Sequence, residues 1–388
     1  MSFPGSTLSK EELSRYSRHI ILNDFGIQGQ EKLKASKVLV IGAGGLGSPV
    51  LLYLAAAGVG TIGIVDYDAV DETNLQRQVL FTVPDVGKSK ADTAAKRLNA
   101  LNPFIKVVPF PVHLSSQNAL DIINAFDLVI DGTDNFATRY LVNDACVLLN
   151  KPNIYGSIFQ FEGQVSVFNY KNTQGVLGPN YRDLYPTPPP PGLVPSCGEG
   201  GVLGVLPGII GSIQASEAIK VITGIGKPLS GRLLLFDAFN FETRIVKFSP
   251  DENNPVNGKK PAITELIDYE EFCGVNLLPS VQDTIKELSV LELKKWIDAQ
   301  VDFQLIDVRE PFEHDLVNIG GQLIPLSKIS ESANTISRDK PVVVYCKTGI
   351  RSVKAAKELL AKGFINLYNV TGGIAAYISE VDPTLPRY

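Results

Sequence analysis

The stretch that decides the fold reads KVLVIGAGGLGSPVLLYLAAAGVGTIGIVD and spans residues 37–66. It opens with a β-branched apolar run and passes through a glycine cluster into an Ala- and Leu-rich segment at about 46–57. A second apolar run then ends at Asp66. Short apolar runs on both sides of a helix-forming segment predict a β-α-β unit. We therefore expect a parallel sheet in this part of the chain.

The glycine cluster fits a phosphate-binding turn. Gly42, Gly44 and Gly47 match the pattern G-x-G-x-x-G between the strand and the helix, where backbone amides at the positive end of a helix bind an anion. Asp66 lies at the end of the next strand and suits the hydroxyls of a ribose. Taken alone, the loop favours NAD or FAD over ATP, and glycines kept only for tight packing are the alternative interpretation.

Alternating strands and helices continue beyond this unit. Apolar runs at 105–110 and 128–131 alternate with helix-forming segments up to about Asn150, which predicts a sheet covered on both faces. Between 163 and 248 the runs alternate more like antiparallel strands. The predicted fold class is α/β, with a Rossmann-like, doubly wound mixed sheet.

The length of 388 residues predicts two domains. Polar, turn-rich sequence at 249–260 marks the first boundary, so we assign 1–250 to the first domain and 251–284 to a linker with a short helix. The last part, 285–388, has its own alternation of strands and helices and is predicted to be a small α/β domain.

Composition excludes several classes of function. The chain carries 36 Lys and Arg against 41 Asp and Glu, so it lacks the broad basic field of a nucleic-acid partner. The longest uncharged run, 38–65, contains seven glycines, which argues against a membrane span. No secretory signal opens the chain, and the four cysteines form no C-x-x-C pair. We expect a cytoplasmic protein with no nucleic-acid or membrane partner.

Polar motifs follow the glycine loop in order: DYDAVDETNLQRQ at 66–78, GKSK at 87–90 and DGTDN at 131–135. With RYSRHIIL at 15–22, they make the sequence resemble the MoeB/ThiF family, prokaryotic relatives of ubiquitin-activating enzymes, over about residues 9–250. The resemblance implies a sheet of the ubiquitin-activating-enzyme type, and it implies ATP rather than NAD.

The resemblance also implies a role for each matching residue. Gly45 lies under the phosphates, Asp66 holds the ribose, and polar and basic side chains surround the rest of the nucleotide. The residues in this last group are Asp68, Asn74, Arg77 and Lys90. Physical chemistry supports these residue types, because a carboxylate that attacks the α-phosphorus of ATP brings two anions together, and cations offset the repulsion. A single basic residue, by contrast, is usually a solvated surface charge.

Asp134 is implied to hold Mg²⁺, with Asn135 beside it at the adenylate end of the site. Taken alone, Asp134 fits equally well as a cap for the helix that follows. Arg18 matches the family arginine that reaches a nucleotide across a dimer interface, so the resemblance implies a homodimer.

A cysteine at the end of an apolar strand marks the last domain. Cys346 lies in VVVYCKTGIRS, 342–352, in a loop that ends at Arg351, where backbone amides and a helix start can stabilise a thiolate or a persulfide. Here the chain resembles a single-domain rhodanese over about 285–388, with further matches at 305–314 and 370–377. An inert rhodanese-like module is the alternative, and the cysteine itself argues against it.

A second cysteine, Cys197, follows a proline-rich stretch at 185–195 and is flanked by Ser196, Gly198 and Gly200. The family has a sulfur-handling cysteine at this position, so we assign Cys197 to attack or receive the activated acyl group. A lone cysteine is more often a small buried apolar residue, and that interpretation stays open.

The sequence departs from the family at a metal site. Many relatives bind a structural zinc with two C-x-x-C pairs, and the corresponding stretches here read NYRD at 180–183 and NPVN at 254–257. Asparagine and aspartate replace thiolates poorly in a closed tetrahedral site, so we predict no zinc.

The resulting hypothesis joins the two domains. ATP and Mg²⁺ activate the C-terminal glycine of a small ubiquitin-like sulfur carrier that ends in Gly-Gly, and a persulfide on Cys346 supplies sulfur to give a thiocarboxylate. Thiosulfate or a cysteine desulfurase is the expected sulfur donor. The alternatives are an NAD-dependent oxidoreductase with an appended rhodanese domain and a scaffold that binds the carrier without catalysis. The pathway stays open between molybdenum cofactor, thiamine, cysteine and tRNA thiolation.

Overall fold

The computed structural model describes residues 7–189, 201–273 and 285–388. The chain divides into two compact units, Met1–Val275 and Asn276–Tyr388. Each unit has its own sheet and its own hydrophobic core. Within the described ranges, no helix combines the length and the apolar character that crossing a bilayer requires.

An eight-stranded mixed sheet organises the first unit, in the order β3-β2-β1-β4-β5-β6-β7-β8. The strands from β3 to β5 in this order pair in parallel, and those from β5 to β8 pair antiparallel, which confirms the predicted fold class. The strands are β1 (Lys37–Ile41), β2 (Thr61–Val65), β3 (Lys106–Phe110), β4 (Leu128–Asp131), β5 (Asn153–Phe159), β6 (Glu162–Phe168), β7 (Arg232–Asp237) and β8 (Glu242–Lys247).

Helices cover both faces of this sheet. Because side chains alternate along a strand, Val40 of β1 joins the core under α4, α5 and α9, whereas Leu39 joins the core under α6 and α7. The helices of the first unit are α1 (Lys10–Arg15), α2 (Ser17–Ile20), α3 (Gly26–Ala35), α4 (Gly47–Ala57), α5 (Lys90–Leu101), α6 (Ala119–Asn124), α7 (Phe136–Leu148), α8 (Tyr181–Leu184), α9 (Leu206–Thr223) and α10 (Tyr269–Phe272).

Residues 251–273, within the predicted linker at 251–284, belong to the first compact unit. Tyr269 is buried, and its hydroxyl donates a hydrogen bond to Asp144 Oδ2 at 2.8 Å. Phe272 packs against the core under α6 and α7. Apolar residues that follow the polar turns at 249–260 thus pack against the core of the first unit.

Side chains from 180–183 and 254–257 form one hydrogen-bonded cluster. Asn254 Nδ2 donates to Asn180 Oδ1 at 3.2 Å and to Asp183 Oδ1 at 2.7 Å, and Asn180 Nδ2 donates to Asn257 Oδ1 at 3.0 Å. Asn180 and Asn254 are both buried. This polar cluster joins the turn after β8 to α8. The absence of zinc stays a prediction, which metal analysis of the purified protein tests.

A five-stranded parallel sheet organises the second unit, in the order β11-β10-β12-β13-β9. Apolar cores lie on both of its faces, as expected for a small α/β domain. Its elements are β9 (Ile285–Leu288), α11 (Val290–Asp298), β10 (Gln304–Asp307), α12 (Pro311–Leu316), β11 (Gln322–Leu323), β12 (Val342–Tyr345), α13 (Ile350–Ala361), β13 (Leu367–Val370) and α14 (Gly373–Glu380).

The substitution Asn254→Ala tests the polar cluster. It removes both donated bonds, while the amides of Arg182 and Asp251 still donate to Asn180 and Asp183. Each lost bond contributes about 0.5–1.5 kcal/mol, so we expect the first unit to lose about 1–3 kcal/mol of unfolding free energy. Calorimetric unfolding of the full chain measures the loss. Asn253→Ala, at the exposed neighbouring residue, is the control and should leave the midpoint unchanged. Equal midpoints for the two variants would contradict a stabilising cluster.

Candidate active sites

A cavity of about 890 Å³ lies at the carboxyl ends of β1, β2 and β4. It collects most of the residues that the sequence motifs assign to a nucleotide site, although these come from four separate stretches of the chain. The predicted residues that line it are Gly42, Gly44, Gly45, Asp66, Asp68, Asn74, Arg77, Lys90, Asp134 and Asn135.

Two predicted residues do not line the cavity. Gly47 is the first residue of α4, and a Cβ atom there would lie 1.9 Å from the carbonyl oxygen of Gly42. Its place in the motif is thus explained by the close return of the chain, not by contact with a ligand. Arg18 is exposed on α2 and lies outside the cavity lining.

Asp66 fixes the glycine loop. Its Oδ2 accepts a hydrogen bond from the amide of Ala43 at 2.8 Å, and its Oδ1 accepts one from the amide of Asp68 at 2.9 Å. Burial raises the pKa of the Asp66 carboxyl, while the charge of Lys90 and the two amides oppose that shift. The carboxylate is therefore held in one orientation at the edge of the cavity.

Two of the predicted basic side chains, Arg77 and Lys90, line the cavity. Lys90 is buried at the start of α5, and its Nζ forms an ion pair with Asp68 Oδ2 at 2.8 Å. Arg77 donates to the carbonyl of Thr73 at 3.4 Å, so its guanidinium retains unused donors. Both cations can exchange their present partners for the oxygens of a nucleotide.

Asp134 does not cap the helix that follows it. The cap of α7 is Asn135, whose Oδ1 accepts a hydrogen bond from the amide of Thr138 at 2.9 Å. The side chain of Asp134 is exposed in the cavity and accepts no hydrogen bond from any residue that the structure describes. The alternative interpretation of Asp134 as a cap is therefore wrong, and its carboxylate is available to a cation.

No described group of three or more His, Cys, Asp or Glu residues forms a preformed metal site. Magnesium does not need one, because it commonly binds through one or two carboxylates together with phosphate oxygens of a substrate. The free carboxylate of Asp134 fits that mode of binding.

Arg139 is a cavity residue that the motifs missed. It is buried, donates to the carbonyl of Thr133 at 3.3 Å, and faces the rings of Phe136 and Tyr155 at 5.6 and 5.8 Å. The sequence offered one signal for it. Arg139 is a charged residue in an otherwise largely apolar helix, four residues after the cap Asn135.

The second unit places Cys346 immediately after β12, almost fully buried. Its sulfur accepts hydrogen bonds from the amide of Gly349 at 3.1 Å and from Ser352 Oγ at 3.5 Å. The Ser352 hydroxyl has one hydrogen, and the carbonyl of Gly349 at 2.9 Å and Asn369 Oδ1 at 2.7 Å compete with the sulfur for it. A negative charge on the sulfur would be stabilised by the Gly349 amide, and it would draw the Ser352 hydrogen toward itself.

Arg351 is engaged in a buried ion pair. Its guanidinium binds both carboxylate oxygens of Glu313, at 2.6 and 2.8 Å. Although burial opposes the shift, the hydrogen bonds from Arg351 hold the pKa of Glu313 below its usual range. The hydroxyl of Tyr388 also donates to Glu313, at 3.2 Å. In this arrangement Arg351 holds the loop that contains Cys346. Neither Glu313 nor Tyr388 was predicted as a site residue.

The other three cysteines of the chain are Cys146, Cys197 and Cys273. Cys197 lies outside the described residues. Cys146 and Cys273 are buried thiols, and burial raises the pKa of both, for Cys273 to about 11.

Residues 16–256 match the ThiF family, and residues 289–380 match the rhodanese-like domain. The chain belongs to the ThiF family. As a ThiF-family protein with a rhodanese-like domain, it is an adenylyltransferase joined to a sulfurtransferase. These matches give no support to the NAD-dependent alternative.

Two curated relatives agree with this assignment. The chain is 51% identical over 389 residues to the probable adenylyltransferase/sulfurtransferase MoeZ of Mycobacterium tuberculosis, covering 99% of this chain and 97% of MoeZ. It is 56% identical over 267 residues to the sulfur carrier protein adenylyltransferase of Thermus thermophilus, covering 69% of this chain and 98% of that protein.

A solved structure agrees on the fold. The crystal structure of E. coli MccB with ATP has a TM-score of 0.55 and 24% identity to this ThiF-family chain, and it covers 66% of this chain and 77% of MccB. At this identity the likeness concerns the fold alone.

The substitution Ser352→Ala tests the sulfur environment. It removes one donor to the sulfur of Cys346, so we expect alkylation of Cys346 by iodoacetamide to slow about three- to tenfold. Mass spectrometry of the Cys346 peptide gives the rate separately from those of the other cysteines. Ser379→Ala, at an exposed serine of α14, should react at the wild-type rate. Unchanged labelling in Ser352→Ala would show that its hydroxyl does not support the thiolate.

Proposed function

We propose that the first unit uses ATP to adenylate the C-terminal glycine of a small ubiquitin-like sulfur carrier that ends in Gly-Gly. The second unit then supplies sulfur from a persulfide on Cys346, and the product is a thiocarboxylate. The observation that carries this proposal is one cavity that combines the glycine loop, the cations Arg77 and Lys90, and the free carboxylate of Asp134.

Adenylation requires that two anions meet. An oxygen of the carrier carboxylate attacks the α-phosphorus of ATP, the bond to the β-phosphate oxygen breaks, and pyrophosphate leaves. Arg77 and Lys90 offset the negative charge that accumulates on the phosphates. Lys90 turns from Asp68 to the nucleotide, and Asp68 is half-exposed, so water solvates the carboxylate it leaves. Asp134 would hold Mg²⁺, which neutralises phosphate charge when bound.

Sulfur transfer completes the reaction. The terminal sulfur of the Cys346 persulfide attacks the acyl carbon, and AMP leaves with the electron pair of the broken C–O bond. An external thiol then attacks the Cys346 sulfur, the S–S bond breaks and the thiocarboxylate leaves with its electron pair; a second thiol reduces the mixed disulfide that remains and restores Cys346. We assign Cys197 to receive the acyl group before this: its thiolate displaces AMP to give a thioester, from which the terminal sulfur of the persulfide displaces the Cys197 thiolate. Thiosulfate or a cysteine desulfurase is the proposed source of the persulfide sulfur.

We further propose that two chains act together and that Arg18 of one chain reaches the nucleotide of the other. The support is its exposed position on α2, away from the cavity of its own chain. A reducing compartment, the cytoplasm, suits chemistry that depends on free thiols.

Pyrophosphate exchange into ATP tests the adenylation step. We expect exchange only when a Gly-Gly-ended carrier is present, and we expect Lys90→Ala to reduce its rate by about 10²–10³-fold, because a cation at the phosphates is lost. Lys88→Ala, at an exposed lysine two residues away, should retain the rate.

Each outcome of the exchange experiment is decisive. Absence of exchange with every small Gly-Gly protein of the host would overturn the proposal. Exchange that persists in Lys90→Ala would remove Lys90 from the mechanism. Carrier binding without exchange in the wild-type chain would instead favour the scaffold.

The substitution Cys346→Ala tests the sulfur step. It removes the persulfide carrier, so transfer of sulfur from thiosulfate to cyanide should fall to the background rate. Cys273→Ala, which changes a buried thiol of the first unit, should leave transfer intact. Pyrophosphate exchange should survive in both variants. Transfer at the wild-type rate in Cys346→Ala would exclude Cys346 as the sulfur acceptor.

A further inference from the structure

A short segment near the end of the first unit forms part of the nucleotide cavity. Residues 266–270, here called the wall segment, line the cavity together with the glycine loop. None of the sequence motifs includes them. They also begin the stretch of chain that leads from the first unit to the second.

The cavity has two chemically different sides. Gly45 and Lys90 lie at the starts of α4 and α5, on one face of the sheet, and Arg77 lies in the connection between β2 and α5; together they provide backbone amides and positive charge. Leu114, Leu141 and Leu266 line the cavity from the opposite core, under α6 and α7. A nucleotide has the same asymmetry, with charged phosphates and a flat, largely apolar base. With the phosphates on the glycine loop, the base therefore lies toward the apolar side.

The wall segment is held in place at three points. Ser116 Oγ donates to the carbonyl of Ile267 at 2.5 Å. The carboxylate of Asp268 accepts hydrogen bonds from the amides of Glu270 and Glu271 and so caps α10. Tyr269 donates to Asp144, which is itself paired with a buried arginine. A segment fixed in this way can present a defined surface to a ligand.

We propose that the wall segment holds the base of the bound nucleotide, with Leu266 as the side chain that contacts it. The inference rests on the proposed use of ATP and adds a binding contact from outside the family motifs. Because the contact concerns the base and not the phosphates, it affects the affinity for ATP and leaves the chemical step unchanged. A bound nucleotide also protects the wall segment from local opening.

The test compares variants of the full chain by calorimetric titration with a non-hydrolysable ATP analogue. Leu266→Ala removes most of an apolar contact, so we expect about tenfold weaker binding. The ATP concentration that gives half-maximal pyrophosphate exchange should rise by the same factor. Ile263→Ala is the matched control, because Ile263 is equally half-buried in the same stretch but does not line the cavity.

Hydrogen exchange gives a second measurement on the wild-type chain. The analogue should slow amide exchange in the wall segment, whereas residues 251–258 should exchange at the same rate with and without it. Leu266→Met, which conserves side-chain volume, should recover most of the affinity and so excludes a general loss of folding.

The two proposals fail in different ways. If the wild-type chain does not bind the analogue at all, the proposed use of ATP is wrong. If the wild type binds it, but Leu266→Ala binds equally well and the wall segment gains no protection, the base-holding contact is wrong and adenylation stands.

Discussion

The close return of the chain at the glycine loop is the constraint on which the nucleotide site depends. Gly42 has a φ of +90°, and a Cβ atom at Gly47 would overlap the carbonyl oxygen of Gly42. Only glycine meets both requirements, and α4 can then begin directly behind β1. The same turn brings the amide of Ala43 to Asp66. One hydrogen bond thus fixes the loop and orients the carboxylate that faces the cavity.

Much of the fold follows from local sequence. The exceptions are residues whose burial depends on contacts with residues far away in the chain. The apolar runs of β1, β2 and β4 are bounded by turn residues, which makes them recognisable as strands. No strand was predicted at β5, because Gly156 and Ser157 together interrupt its apolar residues. A Cβ atom at Gly156 would lie 2.3 Å from the side-chain Cδ of Gln214. The absence of a side chain at Gly156 lets Gln214 of α9, which is distant in sequence, pack closely against β5. The burial of Tyr269 also depends on a distant residue, because its hydroxyl donates to Asp144.

The residues of the nucleotide cavity also fall into two groups, those that sequence motifs predict and those that only the structure reveals. The motif residues meet in one cavity because parallel strands end at a common edge of the sheet, so a sequence pattern is enough to bring them together. The cap of α7 could not be identified without the backbone conformation. Asp134 and Asn135 are both good capping residues, and the extended conformation of Asn135 decides between them. Arg139, Leu266 and Tyr388 reach their sites through tertiary packing, which no spacing of residues reveals.

The ion pairs of the two sites differ in a way that matches their chemistry. Lys90 is paired with Asp68, whose side chain is 48% exposed, so the pair can open when a more negative partner arrives. Arg351 is paired with Glu313, whose side chain is 6% exposed, and opening a buried pair costs about 3–5 kcal/mol. The first site therefore keeps an exchangeable cation for a substrate that brings its own charge. The second keeps its charges fixed, because the charge to be stabilised forms on its own sulfur, and the amide of Gly349 already donates to that atom.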